Sequence, residues 1–522
     1  MFFECGRVFL RPLRVVKKIL RNSMKKILLI QSLLLIPLVF VFWIVAYPET
    51  LQWMEEYSFF STLPDFTHLQ VRLPGDALRY LGAFLLQFYR WTWVAAALQT
   101  LFAWVVMALA SYTLWKVLKI EKLMWVAFIP AAIFVSRQCL YRDLEWSFVW
   151  VIVMALIAIA ARLFVRRPIL AKYSDDNQVN NKPRGGKAVE APKRGHFSTA
   201  LIYVVLPAAL LGVGFYVSVS DLDCAFRERI HKVEHLAEEQ KWEEILEFVT
   251  PEVALNDGAL KRYAVLALLE TDMLANRAFE YGVTSPDDFY FMERNEFVGI
   301  YYNSLLYKSM GIDDEVIHLM YLLNEHSRLG FSFRSLRIMA DAYLRKGDAI
   351  LAEKYLTILS HTTCHGAWLK PRWEQLAELK ANPVPRPTEP SDVSVGAHGL
   401  HGQMALLDET SRFLKIYPTN KKIVDVLCCG LLAICDIENF GKMFDKYAPG
   451  AYAGQKMPAY YEDALILYSY IDKTIYDRFP VRQSRLNDFK KFSQFMNSGQ
   501  KARARQSAPT SYWAYMYCST TY

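Results

Sequence analysis

The sequence predicts an all-α protein, with about five transmembrane helices followed by a superhelix of α-helical repeats. Three observations support this prediction. Long uncharged apolar runs fill the first 220 residues, apolar residues recur at spacings of three and four through the remainder, and a 36-residue period links residues 300–320 to 336–356. Of the 522 residues, 53% are hydrophobic and 21% are charged, fewer charges than the roughly 25% of a typical soluble protein.

The formal net charge of +8 is unevenly distributed. Residues 1–220 carry 25 Lys and Arg against 12 Asp and Glu, whereas residues 221–522 carry 35 against 40. The positive charge therefore lies with the apolar runs, where it bears on membrane orientation. Because the second half is acidic, we predict no nucleic-acid partner. The 23 Gly, 22 Pro and 8 Cys are too few for a disordered, collagen-like or disulfide-stapled chain.

A basic cytoplasmic N-terminus over residues 1–26 precedes a predicted membrane domain over 27–220. The predicted spans in this domain are 27–48, 91–115, 123–136, 146–165 and 197–220. The third run has only 14 residues, fewer than the roughly 20 that a spanning helix needs, so it is either a span or a re-entrant or interfacial segment. Arg162 interrupts the fourth run near its end, where its side chain can extend to the membrane surface.

Basic clusters favour the spanning interpretation of the third run. Eight Lys and Arg lie in residues 1–26, three in 116–122 and eight in 166–196. Lysine and arginine concentrate on the cytoplasmic side of membrane proteins, and all three clusters share that side only if every run crosses. We therefore predict a multi-pass protein of the cytoplasmic (inner) membrane, with the N-terminus inside and everything after residue 220 extracytoplasmic.

The loop after the first span is acidic and aromatic, and it contains Glu55, Glu56 and Asp65. One interpretation is an outer-face lid or active-site loop, as in polytopic glycosyltransferases. The other is an interfacial helix rimmed by aromatic anchors that leads into the second span. We prefer the interfacial helix, because five spans are few for that class of enzyme.

The second half repeats itself at a shift of 36 residues. The aligned pairs are Ile300 and Leu336, Ser304 and Ala340, Tyr307 and Tyr343, Gly311 and Gly347, Val316 and Ala352, and Met320 and Leu356. The second copy resembles the tetratricopeptide repeat, in which small residues on two antiparallel helices permit close packing and an aromatic residue fills the groove between them. The period exceeds the roughly 34 residues of that family, and Ser304 and Val316 replace its small residues in the first copy.

Further helix pairs are predicted across the second half. They are Val233–Val249, Tyr263–Phe279 and Val424–Tyr447. We expect a first helical-repeat block over 221–380, a Pro/Gly-rich linker over 381–403 with four prolines, and a second block with an aromatic tail over 404–522. The whole arrangement resembles a group of bacterial multi-pass membrane proteins with a C-terminal tetratricopeptide-like region, a resemblance that implies no known reaction.

His231, Glu234 and His235 form an H-x-x-E-H pattern, the inverted zinc-protease motif. A catalytic zinc needs a third ligand, and a solvated face of a Glu/Lys-rich helix is the preferred interpretation. The segment His361–His365, with Cys364, lacks the residue order of haem attachment. Cysteines 428, 429 and 435 are predicted to lie on one helix as buried, unpaired thiols. We predict no catalytic, cofactor-binding or metal-binding residues.

The C-terminus combines a basic run, Lys501, Arg503 and Arg505, with aromatic residues over 512–517. The basic run could contact anionic lipid or nucleic acid, but a solvated segment is the preferred interpretation. The aromatic residues are expected to cover the exposed end of the last helix pair.

These patterns lead to two alternative functions. The first is a scaffold protein of the cell envelope that binds a protein or peptide partner on the extracytoplasmic side and is held by the lipid bilayer. The alternative is a polytopic transferase acting on a lipid-linked sugar, with Glu55, Glu56 or Asp65 as base or metal ligand and the repeats as an accessory domain. A transporter is disfavoured because the runs lack buried charge beyond Arg162.

Overall fold

The computed structural model describes residues 5–71, 75–140, 143–165, 201–292, 297–327, 330–383 and 405–518. Helices make up most of this part of the chain and no strand occurs within it, which confirms the all-α fold. The chain forms two compact units, the first comprising residues 1–229 and 361–364 and the second comprising 230–360 and 365–522. The basic segment 166–196 and nearly all of the predicted linker at 381–403 lie outside the described residues.

The first unit is built on apolar helices. Its described α-helices are α1 (Cys5–Ala46), α2 (Pro48–Glu56), α3 (Pro64–Gln70), α4 (Asp76–Leu86), α5 (Thr92–Val117), α6 (Phe128–Gln138), α7 (Glu145–Phe164), α8 (Leu206–Ser220) and α9 (Leu222–Glu238). Short 3-10 helices lie at Gln87–Arg90 and Glu121–Ala127, and a π-helical turn at Leu201–Val205 precedes α8. The division between the two units falls within α9.

Four helical stretches in the described residues are long and apolar enough to cross a membrane. They are Met24–Ala46, Thr92–Val117, Glu145–Phe164 and Tyr203–Ser220. They coincide with the first, second, fourth and fifth predicted spans. Large apolar side chains such as Leu33, Val45 and Leu156 are exposed on their outer faces, as expected for surfaces that contact lipid rather than water. The protein therefore carries at least four candidate membrane spans.

The third predicted span has a different form. Residues 121–127 are a 3-10 helix and α6 follows directly, so the apolar helical stretch Leu123–Gln138 is shorter than the other four. The 3-10 segment rises about 2 Å per residue and the α-helix about 1.5 Å, so the stretch extends about 26 Å. That length is slightly below the roughly 30 Å of a hydrocarbon core, and its crossing stays a prediction.

Helix α5 is the centre of the first unit. It packs against α1, α6 and α7 through small, fully buried residues that include Ala95, Ala96 and Ala103, which let the helix axes approach closely. A buried polar side chain also joins these elements. Gln31 of α1 donates to the carbonyl of Met124 and accepts from the Ser111 hydroxyl of α5, both at 2.8 Å.

The described part of the second unit consists of short helices, many of which pack against their neighbours along the chain. They are α10 (Trp242–Phe248), α11 (Pro251–Asn256), α12 (Gly258–Glu270), α13 (Leu274–Arg277), α14 (Phe297–Ser309), α15 (Asp313–His326), α16 (Phe333–Arg345), α17 (Ala349–Ser360), α18 (Gly366–Ala381), α19 (Ala405–Ile416), α20 (Lys421–Ala433), α21 (Ile437–Ala451), α22 (Ala459–Tyr468), α23 (Ile475–Arg478), α24 (Gln483–Asn497), α25 (Lys501–Ser507) and α26 (Tyr512–Cys518). Neighbours along the chain, such as α14 and α15, α16 and α17, and α20 and α21, lie against each other.

One turn geometry recurs six times among the residues of this unit that the structure describes. A residue with positive φ lies two residues after the end of one helix, and the next helix begins two residues after it. The left-handed residues are Gln240, Asp272, Gly311, Gly347, Cys435 and Gly499. At each turn the following amide donates to the carbonyl five residues earlier, as in Ile312 to Tyr307 at 2.9 Å and Asp348 to Tyr343 at 3.0 Å. This bond defines the Schellman motif, which satisfies the free carbonyls at a helix end.

The internal repeat of the sequence corresponds to two successive hairpins. Helices α14 and α16 begin 36 residues apart, and so do α15 and α17. All ten non-glycine residues of the aligned pairs are buried, and the aligned glycines, Gly311 and Gly347, are both left-handed. The sequence period therefore reports a repeated helical hairpin. Its likeness to the tetratricopeptide repeat stays a prediction.

Replacing Gly311 by alanine should destabilise the α14–α15 hairpin by about 1 kcal/mol, because a Cβ is disfavoured at positive φ. Nothing lies within 4 Å of the added Cβ, so the effect isolates backbone strain. Replacing Cys435 by glycine at the equivalent turn should stabilise the α20–α21 hairpin by a similar amount. Hydrogen exchange of each hairpin in the full chain measures both changes, and shifts of equal sign would contradict the shared geometry.

Candidate functional site

The H-x-x-E-H pattern lies on α9, where its residues have different environments. His231 is 3% exposed and Glu234 is fully buried, whereas the His235 side chain is 37% exposed and faces Glu239 at 3.5 Å. The prediction of a solvated helix face is therefore wrong for His231 and Glu234. No group of three His, Cys, Asp or Glu side chains that could hold a metal occurs among the residues the structure describes.

Glu234 instead belongs to a buried ion pair. The Nη1 atom of Arg334, on α16, donates to its Oε2 atom at 2.7 Å, and both side chains are at most 3% exposed. The hydroxyl of Tyr263 donates to Oε1 at 3.4 Å. Burial alone raises the pKa of Glu234, but the nearby Arg334 guanidinium and His231 imidazole outweigh burial and lower the pKa below its usual value.

The ion pair extends toward the surface through Glu238. Arg334 Nε lies 3.2 Å from its Oε1, and Arg337 Nη2 lies 2.8 Å from its Oε2. The guanidinium of Arg334 also lies over the ring of Tyr301, 4.1 Å from the centroid. The H-x-x-E-H pattern thus carries an ion-pair network that joins α9 to α16, which is a structural arrangement.

The acidic residues proposed for a transferase lie on two helices, with Glu55 and Glu56 on α2 and Asp65 on α3. Glu55, on α2, is 6% exposed and Glu56 is partly buried, whereas Asp65 is exposed in the first turn of α3. A different carboxylate, Glu228, binds the N-terminus of α2, where it accepts from the amides of Glu49 and Thr50 at 3.0 and 2.9 Å. Burial raises the pKa of Glu228 to about 7.

The cysteines of α20 are core residues. Cys428 and Cys429 are buried, and burial raises the pKa of both thiols, which disfavours the reactive thiolate. The prediction that Cys435 shares their helix is wrong. Helix α20 ends at Ala433, and Cys435 occupies the left-handed turn that follows.

The remaining sequence motifs are distributed between core and surface. His365 is 2% exposed and stacks on Phe333 with 3.5 Å between ring centroids. Residues 501, 503 and 505 are exposed. The aromatic tail forms α26, in which Trp513 is fully buried against Phe492, and the hydroxyl of Tyr512 donates to the Leu432 carbonyl at 2.9 Å. The tail therefore covers neighbouring helices, as expected.

The candidate ligand site is an open groove of about 430 Å³ within the second unit. It lies where the α12–α13 turn, the start of α20, the α21–α22 loop and the start of α24 meet. The residues that line it are Asp272, Asn276, Lys421, Tyr452, Gln455, Lys456, Met457, Pro458, Ala459 and Arg482. We call it the α20 groove.

Hydrogen bonds hold the walls of the α20 groove together. Lys421 forms an ion pair with Asp272, and its ammonium group lies 5.4 Å from the ring centroid of Tyr452. Asn276 accepts from the amide of Ala459 at 2.8 Å, which fixes the start of α22. Arg482 binds the buried carboxylate of Glu462, with Nε 2.7 Å from Oε2.

A buried carboxylate lies behind the groove wall. The hydroxyls of Tyr452 and Tyr461 both donate to Asp425 Oδ1, the latter at 2.7 Å. Burial raises the pKa of Asp425 to about 6, and these hydrogen bonds offset only part of that effect. Asp425 therefore anchors Tyr452 in the groove wall and is itself titratable.

Sequence reasoning missed the α20 groove. Its cations, Lys421, Lys456 and Arg482, are separated by tens of residues and belong to three different elements. They lie in a half of the chain with a net acidic composition. No local pattern marks them, and only the packing of the hairpins brings them together.

Comparison with known proteins gives the family. The sequence model of a family of unknown function (DUF6057) matches residues 23–174 and 140–519. No match was found among curated proteins or among solved structures. Because the two matched segments together cover nearly all of the sequence, the chain belongs to this family of unknown function.

Proposed function

We propose that this protein is a membrane-anchored scaffold of the bacterial cell envelope, whose second unit binds a protein or peptide partner. The recurring helical hairpin carries the proposal. Stacked hairpins of one geometry form continuous surfaces that accommodate extended or helical segments of other proteins. The α20 groove is one such surface, because segments that are distant in sequence meet there.

We further propose that the protein lies in the cytoplasmic (inner) membrane with its N-terminus inside and its second unit extracytoplasmic. The three basic clusters share the cytoplasmic side when five segments cross. Four candidate spans and the apolar stretch Leu123–Gln138 supply those five. Reporter fusions after residues 180 and 230 should report opposite sides of the membrane, and a shared side would contradict this orientation.

Photo-crosslinking in native membranes, followed by mass spectrometry, tests the scaffold proposal. A specific partner should crosslink to the full chain and be lost when the chain is truncated after residue 225. A chain in which Glu55, Glu56 and Asp65 are all replaced by alanine is the matched control and should keep the partner and complement a deletion strain. Recovery of no partner beyond the protein itself would contradict the proposal. If the triple alanine chain fails to complement the deletion strain while the truncated chain still complements it, the transferase alternative is favoured instead.

A further inference from the structure

We propose that the α20 groove binds an acidic peptide segment and that it contacts the carboxylate groups of this peptide. This inference rests on the proposed scaffold function and adds the place and the chemistry of partner recognition. It follows from the hydrogen-bonding groups that line the groove, from their charge and from the size of the groove.

Three acceptor groups at the groove wall are already used within the protein, whereas one amide donor remains. The Oδ1 atom of Asn276 accepts from Ala459, and the carboxylates of Asp272 and Glu462 are paired with Lys421 and Arg482. Within the described residues, the Nδ2 atom of Asn276 has no such partner. A ligand that binds the Asn276 amide must therefore supply an acceptor.

Charge points to the same ligand chemistry. Of the three cations in the lining, Lys421 and Arg482 are paired with Asp272 and Glu462, which leaves the charge of Lys456 uncompensated among the residues the structure describes. Lys456 is exposed, and no acidic side chain pairs with it in the described part of the chain. Lys421 has three ammonium protons and uses one of them in its hydrogen bond to Asp272. A carboxylate placed between Lys421 and Lys456 would gain charge-assisted hydrogen bonds, which are stronger than neutral ones.

The size of the groove limits the occupant to a short segment. Its volume of about 430 Å³ lies at the small end of the roughly 300–1,000 Å³ typical of ligand sites. A few residues of an extended chain fill such a volume. The open side of the groove lets the rest of the peptide continue over the surface, which a closed small-molecule pocket would not permit.

Calorimetric titration of the full chain in zwitterionic nanodiscs, at about 50 mM salt, tests the inference. The probes are acetyl-Asp-Glu-Glu-amide, its uncharged analogue acetyl-Asn-Gln-Gln-amide, and inorganic phosphate. The acidic tripeptide should bind, whereas the uncharged analogue should bind about tenfold more weakly or not at all. Lys456→Met should weaken binding of the acidic tripeptide by about three- to fivefold.

Lys446→Met is the matched control, because Lys446 is an exposed lysine on α21 outside the groove lining. It removes the same charge from the same unit and should leave affinity unchanged. Equal binding of the two tripeptides, equal effects of the two substitutions, or equally tight binding of phosphate would overturn the inference. If no probe binds while crosslinking still recovers a truncation-sensitive partner, the groove inference fails and the scaffold function stands.

Discussion

Replacing Arg334 by leucine is expected to destabilise the second unit by about 3–5 kcal/mol. The substitution leaves the carboxylate of Glu234 fully buried without its cation, and an uncompensated buried charge is far more costly than a lost surface contact. Native-state hydrogen exchange of α9 and α16 in the full chain, held in detergent micelles, measures the change as a loss of protection.

Arg337→Leu provides the control for this experiment. Arg337 also binds a carboxylate of α9, but its side chain and that of Glu238 are 19% and 17% exposed, so solvent compensates for the loss. We expect a change of about 1 kcal/mol or less. The double variant Glu234→Met with Arg334→Leu should recover most of the stability, because no charge is left unpaired at Glu234. Equal effects of the two single arginine substitutions would show that burial does not govern this network.

Asp425→Asn is expected to stabilise the second unit at pH 8 by up to about 3 kcal/mol. The pKa of Asp425 in the folded chain, about 6, lies above its ordinary value of 3.8. The folded state therefore favours the protonated carboxyl, and this contribution is full below about pH 3.8 and is lost as the pH rises through 6. Asparagine keeps the oxygen that accepts from Tyr452 and Tyr461 and removes the buried charge.

The pH dependence separates this mechanism from a packing effect. Wild-type protection of α20 and α21 should fall as the pH rises from 5 to 8, and Asp425→Asn should reduce that slope. Asp436→Asn is the control in the same hairpin, because Asp436 is partly exposed and caps α21 through the Asn439 amide at 3.0 Å. It should leave the slope unchanged. A slope that Asp425→Asn does not alter would contradict ionisation of Asp425 as its cause.

Local and periodic features of this fold could be predicted from sequence. The aligned tyrosines, Tyr307 and Tyr343, and the aligned glycines mark the hairpin because helix periodicity and a left-handed turn are decided within a few residues. The apolar runs likewise report four candidate spans, because a bilayer imposes length and hydropathy directly. The third run is ambiguous, because its 14 uncharged residues fall short of the length that crosses a bilayer.

Features that depend on distant contacts could not be predicted. The H-x-x-E-H pattern suggests a metal site only while Arg334, a hundred residues from Glu234, is unknown. Cys435 is predicted to share the helix of Cys428 and Cys429, because nothing in its side chain marks the left-handed turn that it occupies. The cations of the α20 groove meet only through the packing of hairpins that are far apart in the chain.

The recurring turn also has a consequence for how the chain folds as it is synthesised. Most of these turns close a hairpin of two packed helices through bonds that span five residues, so most contacts of such a hairpin are local and form quickly. The N-terminal hairpins can thus acquire structure while the rest of the chain is still being made. The α20–α21 hairpin differs, because the carbonyls of Leu432 and Ala433 at the end of α20 also accept from the hydroxyls of Tyr512 and Tyr515. This hairpin therefore acquires all of its contacts only once Tyr512 and Tyr515 have emerged.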